Sequence, residues 1–166
     1  MSLRFLSSAL AILLLTACQP DAELQLSGSI QGTTYHLKAV TRGVVVDRKQ
    51  LQADIEAVFH LVDEQLSNWR ADSVISRFNR QKTTDWQPVT PSIVQLIAVA
   101  QDIHAKTQGC HDLTVKPLFE LWGFTRHEQT VPDASAIRAV MTHVGMDKLE
   151  LDAANHRLRK QDPELQ

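Results

Sequence analysis

Apolar and polar residues alternate from Leu24 to Ile30, with Leu24, Leu26, Gly28 and Ile30 on one side, the period of a β-strand. Thr33 to Val40 is rich in β-branched and aromatic residues and predicts a second strand, with Gln31 and Gly32 as a bend or bulge between the two. After Arg42-Gly43, Val44 to Val46 predicts a short strand or lead-in. The period then changes. Leu51, Ile55, Val58, Phe59, Val62 and Leu66 fall on one stripe of a long helix whose N-terminus Asp47 is placed to cap. Asp72-Ser73 opens a short helical turn with Val74, Ile75 and Phe78 on its apolar side. Thr90-Pro91 starts another helix, with Ile93, Val94, Ile97, Ala100 and Ile103 as its stripe and Gly109 just past its end. Pro132-Asp133 starts a third long helical segment, through about His143 and closed by Gly145; Leu149–Asp152 and Arg157–Lys160 then predict a hairpin turning at Ala154-Asn155. Strands, helices and strands again make an α+β fold, antiparallel strands packed with several amphipathic helices. The last hairpin ends in strand edges that read as unfinished, so the architecture is expected to be incomplete at the C-terminus.

Composition narrows the partners. The 166 residues carry 43% hydrophobic residues, 5% aromatic residues and a formal net charge of -2, so aliphatic side chains fill the core. There are no basic runs, which argues against nucleic acid, since binding it takes clustered Lys and Arg. The seven histidines form no H-x-x-x-H pair and no Cys/His cluster, so no metal site is expected within this chain.

The chemistry concentrates in Gly109–Phe124, GCHDLTVKPLFELWGF. A Cys-His-Asp tripeptide follows the helix-ending glycine. Behind it Leu118, Phe119, Leu121, Trp122 and Phe124 make an apolar run, which predicts a polar loop pinned to a packed base. Asp112 has two readings. Its carboxylate can accept hydrogen bonds from a ligand base or ribose, or it can cap the turn at Thr114 and Val115. Cys110 and His111 do not read as a nucleophile and base, because adjacent side chains diverge. Trp69 sits in a polar loop among Ser67, Asn68 and Arg70, where it either offers a ring face to an aromatic ligand or anchors the loop in the core.

The same stretch resembles the G-A-x-D-x-T-V-x-P-L-x-x-L-W-G-F block of the ApbE family, the FAD:protein FMN transferases. Gln31–Val40 (QGTTYHLKAV) resembles that family's M-G-T-x-Y opening, and Leu66–Asn79 (LSNWRADSVISRFN) its S-x-[YW]-x-x-D-S block. The resemblance spans the N-terminal half of such a protein; the D-x-G-G-x-x-K-G-Y block is absent. It implies that FMN moves from FAD to a Thr hydroxyl of an acceptor protein with Mg²⁺, releasing AMP, the Mg²⁺ ligands lying beyond residue 166. It assigns Gln31, Trp69, Cys110, His111 and Asp112 to FAD, in a dinucleotide cleft lined by Gln31, Trp69 and Asp112. Two positions depart from the pattern: Gln31 stands where the family has Met, and Lys116 where it generally has Gly. A non-catalytic flavin-binding lipoprotein and an inactive truncated remnant are the alternative readings.

The N-terminus reads as a leader. Arg4 is followed by the apolar run Phe5–Leu15, then Thr16, Ala17 and Cys18, a run short for a membrane span. Leu-Thr-Ala-Cys resembles a bacterial lipoprotein signal, with residues 1–17 removed and Cys18 lipidated; an ordinary secretory signal is the other reading. Residues 18–23 then form a tether, and 24–166 the N-terminal part of the transferase domain. The expected place is a membrane surface on the periplasmic side, reached through the lipid anchor, the family favouring the inner membrane.

Overall fold

The computed structural model describes residues 22–125 and 128–166. The expected signal peptide, the Cys18 expected to carry lipid and most of the expected tether lie outside the described residues. The chain divides into two compact units, residues 1–60 and 61–166.

In the first unit, β1 (Ala22–Ile30) and β2 (Thr33–Thr41) pair antiparallel in register from Ala22↔Thr41 to Ile30↔Thr33. β1 thus begins inside the segment expected to be tether. Gln31 and Gly32 are a two-residue turn, both with positive φ (53° and 72°), the turn whose twist matches a hairpin. α1 (Arg48–Leu66) begins after Asp47, whose Oδ1 accepts from the backbone N–H of Lys49 at 2.9 Å and of Gln50 at 3.2 Å.

Tyr35 fastens the hairpin to this helix. Its hydroxyl donates to Glu56 Oε1 at 3.1 Å and its ring meets Phe59 at 5.2 Å. The ring lies across Gly28, its cross-strand partner, where a Cβ would fall 2.6 Å from the Tyr35 ring. Val58 of the expected stripe is exposed, because contact with the hairpin falls on the Glu56 and Phe59 side. Val44–Val46 forms no strand. Val45 is 99% exposed, so an apolar triplet without a sheet neighbour stays a loop.

In the second unit the described residues after α1 form four α-helices, a short 3-10 helix and a three-stranded antiparallel sheet. α2 (Val74–Arg80) is capped by Ser73, whose Oγ accepts from the Ser76 N–H. α3 (Pro91–Lys106) has Pro91 in its first turn and buries Ile93, Val94, Ile97 and Ala100. Past its end Gln108 and Gly109 are both left-handed (φ 53° and 87°), so Gly109 has the conformation expected of a helix-ending glycine and Gln108 shares it, with Gly109 N–H donating to His104 O at 2.9 Å and Gln108 N–H to Ala105 O at 3.3 Å. α4 (Lys116–Leu121) and α5 (Ala134–Met141) follow, the latter capped by Asp133 as expected.

β4 (Leu149–Asp152) and β5 (Arg157–Lys160) form the anticipated hairpin, and β3 (Gln87–Pro88) pairs with the other edge of β5, giving the order β3-β5-β4. Phe78, Ile93, Ile97, Leu149, Leu158 and Leu165 make the core, with Leu66, Val74, Ile75, Val89 and Leu151 against it. The described residues are an α+β arrangement of antiparallel strands and helices, as expected.

Gly28→Val is expected to destabilise the chain by about 1–3 kcal/mol, since the added branches overlap the Tyr35 ring. Urea denaturation followed by circular dichroism checks this, with Ser27→Val, on the opposite face of the same strand, changing stability by less than about 0.5 kcal/mol.

Candidate functional site

The loop ending α3 turns back on its own helix. Cys110 N–H donates to Thr107 O at 3.2 Å and His111 N–H to Thr107 Oγ1 at 3.3 Å. His104 Nδ1 lies 2.7 Å from His111 O; since a carbonyl only accepts, that nitrogen carries a proton. The Cys110 and His111 backbone is therefore fixed. The Cys110 thiol is free and exposed.

Asp112 is the knot of this loop. Its Oδ1 accepts from Thr114 N–H at 2.7 Å and from Thr114 Oγ1 at 2.6 Å. Its Oδ2 accepts from Met146 N–H at 3.0 Å, with His104 Nδ1 at 3.9 Å. Thr114, buried, accepts in turn from Gly145 N–H at 2.7 Å. Asp112 thus does cap the turn at Thr114, and it also reaches 34 residues along the chain to hold the entrance to β4. Val115, named with Thr114 in the capping reading, is not a partner; it is the N-terminal flanking residue of α4. Each carboxylate oxygen has two lone-pair directions, so these contacts do not close Asp112 to a further donor.

Trp69 occupies a second fixed loop. Ser67 Oγ accepts from the N–H groups of Trp69 and Arg70, both at 3.3 Å, and Ser67 O accepts from Ser73 Oγ at 2.6 Å and Ser76 Oγ at 2.9 Å. Arg70 makes a two-point contact with Asp72 at 3.1 and 2.9 Å, and this hydrogen bonding holds the Asp72 carboxyl below its usual range. The Trp69 side chain is not the core anchor of the alternative reading. The residue is 77% exposed on a loop whose backbone is tied down.

Between these loops lies a hollow of about 180 Å³. Ile93 and Leu158, both fully buried, belong to its floor with Phe78 and Ile97. Asn68, Leu96, Leu113 and Lys116 bring it to the surface, and Asn79 and Thr114 add polar groups. Trp69 and Asp112 each stand one residue from a lining residue, Asn68 and Leu113. Gln31 belongs to the first unit, exposed at the tip of the β1–β2 hairpin.

The apolar run behind Asp112 differs from the packed base expected of it. Phe119 and Phe124 are about half exposed and meet at 5.6 Å, forming with Val115, Leu118 and Trp122 an open apolar groove of about 360 Å³. The loop is anchored by the Asp112–Thr114 hydrogen bonds instead. Among the described residues, no group of three or more His, Cys, Asp and Glu side chains is placed to hold a metal ion. Sequence reasoning met Thr114 and Asn68 only as neighbours of Asp112 and Trp69, and passed over Asn79 as a residue of the site. The Asp-x-Thr spacing signals a local turn for Thr114; nothing in the sequence announces the meeting of Asn68 with Asn79.

Residues 31–166 match the ApbE family. The chain belongs to that family. An FAD:protein FMN transferase of Vibrio cholerae is 33% identical over 158 residues, which is 93% of this chain and 47% of the relative. One from Klebsiella pneumoniae is 35% identical over 145 residues, 84% of this chain and 41% of the relative. Among solved structures, the apo flavinyl transferase ApbE of Pseudomonas stutzeri superposes with a TM-score of 0.81 at 32% identity, covering 88% of this chain and 47% of that one. The flavin transferase ApbE of Vibrio cholerae gives the same values. This ApbE chain therefore spans about half the length of the relatives it matches.

A carboxylate kept only for a ligand could be removed without cost to folding. Asp112→Ala is instead expected to lower stability by about 2–3 kcal/mol, because it strands the buried Thr114 hydroxyl and the Met146 N–H. Chemical denaturation measures this, and Asp112→Asn, which keeps an acceptor oxygen, loses less.

Proposed function

We propose that this chain is the flavin-gripping part of an FAD:protein FMN transferase. The observation that carries the reading is the hollow flanked by the Trp69 loop and the Asp112 loop, two of the three segments that match the family's blocks. Its chemistry suits part of a dinucleotide: an apolar floor for a flat ring, amide and hydroxyl groups at its sides, a lysine at its edge, and an exposed indole carried by one of the loops that line it. At about 180 Å³ it is smaller than the roughly 300–1,000 Å³ of pockets that enclose a whole drug-sized molecule, so it would seat one ring system.

In the reaction proposed, the Thr oxygen of an acceptor protein bonds to the FMN phosphorus of FAD. The pyrophosphate P–O bond breaks, AMP leaves, and the hydroxyl proton is released. On this chain, Trp69 would stack on a ring of FAD, Asp112 would fix the loop and accept from a ligand donor, and the Cys110 and His111 backbone would line the approach. Gln31 is assigned to FAD on the motif alone. The Mg²⁺ the reaction implies finds no ligand set among the described residues. A lipid anchor at Cys18 would hold the protein on a membrane surface, on the periplasmic side.

A non-catalytic flavin-binding protein, with the hollow and the Trp69 loop serving binding alone, is the second reading. Incubation with FAD, Mg²⁺ and a flavin-acceptor domain, read by in-gel fluorescence, separates the two: a fluorescent acceptor supports the transferase, and tight FAD binding without transfer supports the second reading. In either case Trp69→Ala is expected to weaken FAD binding about tenfold, the worth of one stacked ring, and to change stability by less than about 0.5 kcal/mol.

A further inference from the structure

Lys160 is buried where an apolar side chain would be expected. It lies on β5 among core residues and is 2% exposed. Its Nζ donates to Asn79 O and Gln81 O, both at 2.9 Å, and stands 5.1 Å from the centre of the Phe78 ring. Those carbonyls end α2, where the last turn leaves acceptors without helical partners. Asn79, also buried, donates from Nδ2 to Asn68 Oδ1 at 3.3 Å. At the other end of α2, Ser73 and Ser76 hold Ser67 O. The loop that presents Trp69 is therefore tied to both ends of one short helix, and the ammonium of Lys160 fixes the far end.

We propose that Lys160 and Asn79 are positioning residues for Trp69, holding α2 and Asn68 so that the indole is presented at the edge of the hollow; this rests on the reading of Trp69 as a flavin contact. Stability alone does not account for Lys160. Taking an ammonium out of water costs several kcal/mol, and a well-packed apolar residue in such a place is commonly neutral or stabilising. Burial, assisted by Lys82 and Lys116 and opposed by Glu164 and Asp162, brings the Lys160 pKa down to about 8, the mark of a charge kept against its solvation preference. What the charge supplies is direction: one side chain satisfies two carbonyls that fix where Asn79 stands.

Two variants test this. Lys160→Met removes the donor to both carbonyls, and Asn79→Ala keeps the Lys160 contact site on the backbone while cutting the link to Asn68. Amide hydrogen exchange is measured in the chain without flavin, and FAD affinity by quenching of flavin fluorescence. The Trp69 and Arg70 amides are expected to exchange about five- to tenfold faster in both variants, the value of one hydrogen bond lost, with Ile93–Ala100 unchanged and FAD affinity reduced by a similar factor. Unchanged exchange at Trp69 and Arg70 overturns the proposal, as does equal acceleration through Ile93–Ala100, which marks a general loss of stability. Should Lys160→Met not fold, Asn79→Ala decides alone by the same criteria. If the unaltered chain binds no FAD, the flavin reading falls, while the exchange rates still decide whether Lys160 and Asn79 order the loop.

Discussion

The second unit depends on one constraint: the polar groups drawn in with its core must find partners inside it. Asp112 and Thr114 meet that need at the join between the loop after α3 and the entrance to β4. One carboxylate and one hydroxyl engage the N–H groups of Thr114, Gly145 and Met146. Hydrogen bonds to a charged acceptor are about twice as strong as neutral ones, and a buried donor left without a partner costs about 1–3 kcal/mol. The join is thus held by direction as well as by apolar contact. It fixes one wall of the hollow while leaving Leu113 at its mouth.

The opposite wall is built by different means to the same effect. Three serines and two asparagines tie the Ser67–Arg70 loop to α2 through hydrogen bonds, and Trp69 is left largely exposed. A large aromatic residue that the fold does not bury, on a backbone the fold holds still, is what a stacking contact requires. On the function proposed, the hollow takes one ring of FAD, and the two loops that line it belong to two of the three segments that resemble the family's blocks.

Most of the fold was legible because it follows period and punctuation. Asp47, Pro91 and Asp133 mark helix starts, and the alternation in β1 and β4 marks strands. Local signals misled where tertiary contact decided. Val44–Val46 has strand composition but no neighbour. At the end of α3, Gly109 is left-handed as its position suggested, but so is Gln108, which nothing in its residue type announced; the hydrogen bonds to His104 and Ala105 set the register of that turn. β3 has only two residues, one of them proline, and exists through β5 alone.

The site was legible in part. Trp69 and Asp112 stood out as polar-loop residues, and each was open to two readings. For Trp69, exposure removed the core-anchor reading. For Asp112, the capping reading was realised at Thr114 and extended by a contact to Met146 that no local spacing could disclose. Lys160 gave no sign of itself: in sequence it is one more base on a strand of alternating character, and only the packing of α2 above it makes it an interior cation.

The most direct test of the central claim is a crystal structure of the chain grown with FAD. Ring density seated in the hollow beside Asn68 and Leu113, with the Trp69 indole stacked on it, is the expected result. FAD bound elsewhere on the molecule, with the hollow and Trp69 as they stand in the free chain, would contradict the account.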